Sequence, residues 1–431
     1  MTLASMALRS AWNRRYTLVW MVLAVALSTA LLLGVERVRS EARNAFAQSV
    51  SGADLIVGAR TSPIQLLMYA VFHVGAVQHD MSWASVQRLR EHPQVDWVIP
   101  LSLGDSMRGF AVLGTTAAYY QHYRYGDARP LAFAQGQATD GLFDAVLGAD
   151  VARDLGYRVG DRITLAHGHG DAHDHHEGHG HDDDEAPAHA DKPFTVTGIL
   201  ARTGTPVDRT VHVSLQAIEA IHLDWQAGAP IPGLHIPPQF VRKFDLSPKH
   251  VTGALVGLKL RSRVFEVQRD IAADPREPLI AVMPGVVLDE LWDVVGQGEK
   301  ALLAVSAMVM LVGLAGLVST ILAALSERRR ELAILRAVGA RPLDVLWLLA
   351  LEGMIVMVLG IAGGYLLLTG AALAFGDLTA AWLGIPLGVA GPQRGELGML
   401  GAILGAGVLA SLLPAWRAYR MSLADGLLPN T

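Results

Sequence analysis

Residues 301–341 read ALLAVSAMVMLVGLAGLVSTILAALSERRRELAILRAVGAR, an uncharged run of 25 residues followed by a basic stretch. A helix needs about 20 apolar residues to cross the hydrocarbon core of a bilayer, so the run predicts a transmembrane helix. The arginines after it are Arg328, Arg329, Arg330, Arg336 and Arg341. Short segments rich in Lys and Arg stay on the cytoplasmic side of a membrane, so this stretch predicts a cytoplasmic link.

Three more uncharged runs, at residues 17–34, 353–376 and 397–416, predict a bundle of four membrane helices. The third helix is expected to begin earlier, near Val345. The first run is longer than the apolar part of a signal peptide, and no small-x-small cleavage site follows it, so we expect a retained anchor. The 17% of charged residues lies below the roughly 25% of soluble domains, in agreement with a chain that is partly in lipid.

The arginine distribution predicts that both termini are cytoplasmic and that the long segment after the first helix lies outside, in the periplasm of a bacterial inner membrane. The predicted organisation is a cytoplasmic amphipathic segment (1–16), a first membrane helix (17–36), a periplasmic domain (37–298, with a histidine-rich insertion at 167–191), a second membrane helix (299–325), a cytoplasmic helix (326–343), a third membrane helix (344–376), a periplasmic link (377–396), a fourth membrane helix (397–416) and a cytoplasmic tail (417–431). The length of the periplasmic domain predicts two lobes.

The outer segment carries an α+β pattern. Short apolar or alternating runs such as ADLIVGAR, KPFTVTGIL and TVHVSL predict strands. SWASVQRLREHPQVDWVIPLSL predicts a helix that a proline ends, followed by a strand. The predicted fold class is therefore a membrane protein with four transmembrane α-helices and a large α+β periplasmic domain between helices 1 and 2.

Residues 167–190, HGHGDAHDHHEGHGHDDDEAPAHA, hold half of the 16 histidines of the chain. Imidazole favours zinc, copper and nickel, so the run predicts divalent-metal binding, with Zn²⁺ as the expected ion. The candidate ligands are His167, His169, His173, His175, His176, His179, His181 and His189. Their spacing defines no geometry, and the alternative is a solvated loop that binds metal only incidentally. The run lies between two predicted strands, so we expect an insertion at the tip of a hairpin.

Other chemistry is excluded or lacks a signal. The chain has no cysteine, which excludes disulfides and thiolate ligands. It carries neither a G-x-x-x-x-G-K-[ST] phosphate loop nor an H-E-x-x-H motif, and no basic stripe with interleaved aromatics. We therefore predict no enzyme activity, no bound nucleotide and no nucleic-acid partner. Glu352, near the cytoplasmic end of the third helix, is expected to serve helix packing or the membrane interface rather than an ion path.

The basic link predicts a short amphipathic helix. Ser326 is a candidate N-cap, Gly339 suits the position after the helix, and Pro342 suits the first turn of the next one. The arginines would also be explained by the positive-inside rule alone. The sharper interpretation is a docking helix for a cytoplasmic partner, whose candidate residues are Glu327, Arg328, Arg329, Arg330, Glu331, Leu332, Leu335, Arg336 and Gly339.

ERRRELAILRAVGA (Glu327–Ala340) and PAWRAYRMSLADGL (Pro414–Leu427), together with the helix order, resemble the MacB/FtsX-like permeases. These are the membrane subunits of type VII ABC transporters, and their relatives include the LolC/LolE pair. The resemblance implies a pair of permease chains, each docking a cytoplasmic ABC ATPase through a coupling helix at Glu327–Val338. ATP hydrolysis would then drive the periplasmic domain, which is called mechanotransmission.

The resemblance also implies membrane lipid contacts and a periplasmic protein or lipoprotein partner. MacB carries its ATPase on the same chain; the missing phosphate loop implies a separate ATPase here. Two alternatives stay open, namely an FtsX-like regulatory transducer that activates a periplasmic hydrolase, and a periplasmic metal sensor or buffer.

Overall fold

Four long helices carry the apolar runs. The computed structural model describes residues 15–49, 52–75, 79–139, 141–167, 189, 191–226, 229–231, 236–327, 339, 341–383, 391–392 and 394–420. The long helices are Arg15–Gln48, Pro284–Glu327, Pro342–Leu383 and Arg394–Arg420. Each contains a span long and apolar enough to cross a membrane. A helix satisfies its own backbone hydrogen bonds, which is why such runs become helices in lipid.

The chain divides into two compact units, residues 1–42 with 295–431 and residues 43–294. In chain order the helices of the described part are α1 (Arg15–Gln48), α2 (Pro63–Ala70), α3 (Trp83–Glu91), α4 (Ala118–His122), α5 (Ala149–Leu155), α6 (Leu215–Ile221), α7 (Pro238–Val241), α8 (Val264–Ala272), α9 (Pro284–Glu327), α10 (Pro342–Leu383) and α11 (Arg394–Arg420). The predicted fold class is confirmed, with the mixed domain between the first two membrane helices.

Glycines bring α1 and α10 together. A Cβ added to Gly360 would lie 2.5 Å from a methyl of Val25, and one added to Gly364 would lie 2.5 Å from the carbonyl oxygen of Ala26. The two glycines are four residues apart, the small-xxx-small spacing that lets membrane helices approach closely. Gly353 and Gly407 do the same between α10 and α11, against Ser411 and Met357. Small residues therefore define the packing of these helices.

A sheet of 11 strands forms the centre of unit 43–294, in the order β17-β1-β16-β3-β4-β12-β8-β11-β7, with β10 on β3 and β9 on β11. The strands are β1 (Leu55–Ala59), β2 (Met81–Ser82), β3 (Val95–Met107), β4 (Phe110–Thr115), β5 (Arg124–Tyr125), β6 (Arg129–Pro130), β7 (Phe133–Gly136), β8 (Asp144–Leu147), β9 (Arg162–Ile163), β10 (Ala166–His167), β11 (Phe194–Leu200), β12 (Thr210–Ser214), β13 (Trp225–Gln226), β14 (Ala229–Pro230), β15 (His250–Val251), β16 (Gly253–Leu258) and β17 (Leu279–Val282). The pairs β4–β12 and β8–β11 are parallel.

The first strand of this unit lies between the last two. β1 pairs antiparallel with β16 on one side and with β17 on the other. Leu55, Ile56 and Val57 are fully buried there, because both faces of the strand are covered by side chains of the core. The strand predicted from ADLIVGAR is therefore an interior strand, paired on both sides and next to the edge strand β17.

The predicted hairpin around the histidine-rich run is present. β9 pairs antiparallel with β11, with Ile163 opposite Phe194. Between them, β10 pairs with β3 and sets His167 opposite Asp105. The run therefore begins at a strand inside the sheet, and its residues 168–188 and 190 lie outside the described part of the chain. The expected division of the domain into two lobes stays a prediction.

Candidate functional site

The predicted docking helix lies outside the described residues at positions 328–338. Glu327 is the last residue of α9, and Gly339 has a φ of +107°, a value that glycine adopts readily and that suits the end of a helix. The next helix, α10, begins at Pro342 as predicted. Its first turn is closed by Asp344, whose carboxylate accepts a hydrogen bond from the Arg341 backbone N–H at 2.8 Å.

The histidine-rich run can be followed at its two ends. Of the eight predicted ligands, His167 is described by its backbone in β10, and His189 is described in full. The six others are His169, His173, His175, His176, His179 and His181, which lie outside the described residues. Metal binding by the run stays a prediction, and His189 is the one predicted ligand whose side chain is among those described.

His189 is fully buried, although it ends a highly polar run. Its backbone N–H donates to the carbonyl oxygen of Leu165 at 2.8 Å, and its carbonyl oxygen accepts from the N–H of Lys192 at 3.1 Å. Its ring lies 4.2 Å from the ring of Trp225 and 5.1 Å from that of His222, centroid to centroid. Neither ring nitrogen has a hydrogen-bond partner among the residues that the structure describes. Buried polar atoms without a partner are rare, so this ring is a candidate for a function.

Asp105 and His222 complete a cluster around this ring. The His222 Nε2 lies 3.3 Å from the Asp105 Oδ1, and one ligand atom from each of Asp105, His189 and His222 lies within 4.8 Å of the others. Asp105 is on β3, directly after the irregularity in register between Leu103 and Asp105 where β3 pairs with β4. Such bulges re-aim side chains, here placing a carboxylate in the interior. His222 is the C-cap residue that directly follows α6.

The pKa values of the two histidines are shifted in opposite directions. Burial lowers the pKa of His189 to about 4, and the neighbouring His222 adds to this, so the His189 ring is neutral near pH 7. Burial also acts to lower the pKa of His222, but the hydrogen bond to Asp105 and the charge of its carboxylate outweigh it, so the pKa of His222 is raised. The cluster thus combines a neutral imidazole, a second imidazole held by a carboxylate, and that carboxylate.

A buried ion pair lies beside the cluster. The Lys192 ammonium is fully buried, 2.6 Å from the Asp224 Oδ1 and 3.1 Å from the Asp191 Oδ2. Asp224 also accepts a hydrogen bond from the Ile236 backbone N–H at 3.2 Å. These contacts hold the chain on both sides of Trp225, on which the His189 ring packs.

Sequence reasoning identified His189 but missed Asp105 and His222. The signal for His189 was its membership of a histidine-rich run. Asp105 lies two residues beyond the predicted strand, which ends at Leu103, and His222 directly follows α6. Both are more than 30 residues from the run in sequence. Nothing in their local sequence indicates that the sheet brings them to His189.

A second polar cluster lies in the membrane unit. Arg39 in α1 contacts Glu299 in α9 at 2.8 Å and Glu36 at 3.0 Å, and Arg37 pairs with Glu396 in the first turn of α11. We call these five residues the ion-pair cluster. They connect α1, α9 and α11. Charges in such apolar helices are costly unless they are paired, so this cluster is a functional candidate.

Comparison with known proteins identifies the family to which the chain belongs. A family model described as the MacB-like periplasmic core domain matches residues 17–236, and one described as the FtsX-like permease C-terminal matches residues 303–423. A macrolide export ATP-binding/permease protein MacB from Nitrobacter winogradskyi is 32% identical over 244 residues, which cover 54% of this chain and 34% of that protein. A protein of the same description from Brucella abortus is 33% identical over 125 residues, 29% of this chain and 18% of that protein.

The chain therefore spans about a third or less of the length of these relatives. Among solved structures, the periplasmic region of MacB from Actinobacillus actinomycetemcomitans matches with a TM-score of 0.32 at 10% identity, over 57% of this chain and 97% of that one.

Proposed function

This chain belongs to the family of MacB-like and FtsX-like ABC transporter permeases, and from that premise we propose that it couples ATP hydrolysis on a separate cytoplasmic ATPase to movements of its periplasmic domain. The observation that carries the proposal is the order of its parts. The MacB-like match begins at the first membrane helix and extends through most of the outer domain, and the FtsX-like match covers most of the other three helices and the basic link.

The basic link is the proposed contact with the ATPase. Residues 328–336 carry four arginines between two membrane helices, and Gly339 and Pro342 close the link before α10. We propose that Glu327–Val338 is the coupling helix, with N- and C-termini on the same cytoplasmic side. Two such chains would pair, so that each ATPase of a dimer has one coupling helix to act on.

The length of α9 supports mechanical transmission. Its 44 residues make it about 66 Å long at 1.5 Å per residue, whereas the hydrocarbon core of a bilayer is about 30 Å thick. A displacement at the Glu327 end would therefore move residues far outside the membrane. The ion-pair cluster connects α9 to α1 and α1 to α11, so a shift of one helix would be shared among them.

The second part of the proposal is a link to divalent metals. The acidic, histidine-rich composition of residues 167–190 suits transient capture of Zn²⁺ in the periplasm. The cargo itself is left open, because the relatives described as macrolide exporters are matched over a minor part of their length. A permease whose activity responds to zinc is the function that these features favour best.

Co-purification tests the docking step. The chain would be expressed with candidate ABC ATPases from the same genome, in wild-type form and with Arg328, Arg329 and Arg330 all changed to Glu. We expect the complex to be lost with the reversed charges. The matched control changes three exposed arginines of the outer domain, Arg129, Arg158 and Arg242, to Glu. A complex that survives reversal at 328–330 as well as it survives the control would refute the coupling helix.

A further inference from the structure

We propose that Asp105, His189 and His222 form a defined site for one divalent transition-metal ion, with Zn²⁺ as the ion that the donor set fits best. The inference concerns three side chains of the outer domain and is independent of the coupling proposed above. It also differs from metal capture by the histidine-rich run, because two of the three ligands lie outside that run.

The donor set is that of an open metal site. Two imidazole nitrogens and one carboxylate oxygen are ligands that zinc accepts at about 2.0–2.2 Å, with a fourth position left for water or another donor. In a tetrahedral site such ligand atoms lie about 3.4 Å apart. The Asp105 to His222 distance of 3.3 Å already matches. The remaining ligand-atom distances, up to 4.8 Å, mean that His189 would move by roughly 1 Å toward Asp105 and His222 on metal binding.

A hydrogen bond to the backbone orients the His222 ring so that its Nε2 can bind a metal ion. Its Nδ1 lies 2.9 Å from the carbonyl oxygen of Ile218, which can only accept, so Nδ1 carries the proton. On metal binding the Nε2, 3.3 Å from the Asp105 Oδ1, would release the proton of its hydrogen bond to that carboxylate and bind the ion instead. Metal-bound histidines almost always donate their other N–H to a carbonyl or carboxylate in this way, which fixes the tautomer and the ring plane.

Burial and charge favour a cation at the cluster. Asp105 is 3% exposed and His189 is fully buried. The neighbouring Lys192 is matched by Asp191 and Asp224, so the group as a whole has more carboxylates than cations. A divalent ion would offset this excess negative charge and give the His189 ring the partner that it lacks among the described residues.

A metal ion bound at this site would connect parts of the fold that are distant in sequence. Its ligands come from β3, from the end of α6 and from the return of the histidine-rich run, which are distant in sequence. The backbone of His167, where that run begins, is paired opposite Asp105. A bound ion would therefore crosslink the sheet, a helix and the return of the run at one point.

Zinc titration of the full-length protein in detergent tests the site. The other seven histidines of the run (His167, His169, His173, His175, His176, His179 and His181) would be changed to Asn, so that they contribute no zinc binding. In this background we expect one Zn²⁺ per chain, retained against a competing chelator. Adding Asp105→Asn or His222→Gln should weaken binding by at least about 100-fold, since outer-shell partners alone are worth about 10–100-fold.

His122→Gln is the control, because His122 is a half-buried histidine of the same domain that stacks on Trp97. It should leave zinc binding unchanged. Zn²⁺ should also raise the unfolding temperature of the background protein but not of its Asp105→Asn form, because an ion that binds the folded state stabilises it. Co²⁺ gives a second readout, a visible absorption band typical of tetrahedral coordination that should vanish with His189→Gln.

Absence of tight zinc binding in the background protein would overturn the site, as would full retention after Asp105→Asn. Survival of the ATPase complex after charge reversal at residues 328–330 would refute the coupling helix but would leave these zinc titrations unchanged. The two proposals therefore fail separately.

Discussion

Arg37 and Glu396 are joined by two parallel hydrogen bonds, from Nε to Oε1 at 2.9 Å and from a terminal guanidinium nitrogen to Oε2 at 3.0 Å. Each of the two side chains is only 3% exposed. The residues are 359 positions apart, and the pair connects α1 to the first turn of α11. Bidentate geometry is the strongest form of this interaction. The guanidinium also lies 5.8 Å from the ring of Tyr365 in α10, so three helices meet at this point.

Removing one partner should destabilise the membrane unit strongly. Leaving a buried charge unpaired costs about 3–5 kcal/mol, so we expect Glu396→Gln to lower the unfolding temperature of the purified protein clearly. Arg37→Gln combined with Glu396→Gln removes both charges and should recover part of the loss. Equal damage from the single and the double variants would mean that the pair acts through shape rather than charge.

The glycine contacts between α1 and α10 predict a position-specific effect. Gly364→Ala would place a methyl group 2.5 Å from the Ala26 carbonyl oxygen and 2.8 Å from the Thr29 Cβ, whereas Gly370→Ala on the same helix meets nothing within 4 Å. Overpacking costs about 1–3 kcal/mol, so Gly364→Ala should lower stability. Gly370→Ala should leave it unchanged or raise it slightly, because alanine is the better helix former. Thermal unfolding in detergent compares the two, and equal effects would contradict this packing.

Two buried histidines predict a loss of stability in acid. Burial lowers the pKa of His73 to about 4, and burial together with His73 lowers that of His212 to about 3, from 6.5. Between pH 6.5 and these values the unfolded chain binds protons that the folded domain does not. Their contribution is therefore complete above pH 6.5 and is lost as the pH falls toward 4 and 3, by about 3 kcal/mol for His73.

His73→Asn isolates this contribution, since asparagine tolerates the positive φ of 55° at this position better than most residues. Unfolding by denaturant across the pH range should show a smaller loss on acidification in the variant than in the wild type. Parallel curves for the two proteins would rule out His73 as the cause.

The buried ammonium of Lys192 predicts a further weak point. Asp224→Ala removes the carboxylate at 2.6 Å and the acceptor for the Ile236 N–H, leaving Asp191 as the remaining paired carboxylate. We expect a loss of about 3–5 kcal/mol in the stability of the outer domain, as for other broken buried pairs. Lys192→Met with Asp224→Leu should be less harmful than Asp224→Ala alone, which circular dichroism during thermal unfolding would measure.

Much of the architecture was predictable because its causes are local. Uncharged runs of 18 to 25 residues, about the length that a bilayer core requires, define the four helices. A short apolar run defines β1, and alternation with β-branched residues defines β11 and β12. The contacts that give the molecule its sites are long-range. Glu396 was predicted to lie in a periplasmic link and Arg37 in the outer domain, and no local pattern places the two side chains together.

The metal cluster shows the same limit. Composition singled out His189 together with seven other histidines. Asp105 and His222 are brought close to His189 only by the fold, through the bulge in β3 and the end of α6. The coupling helix at Glu327–Val338 and the orientation of the termini stay predictions. Hydropathy and arginine counts describe which segments meet lipid or cytoplasm, and not which surfaces bind a partner.

The position of β1 between β16 and β17 has a consequence for how such a protein evolves. The chain enters this domain through β1 and leaves it through β17, and these two strands are paired neighbours in the sheet. A domain attached in this manner can be enlarged, shortened or exchanged between two helices with little change in the spacing of its attachment points. The membrane helices on either side could then be retained while the residues between β1 and β17 diverge.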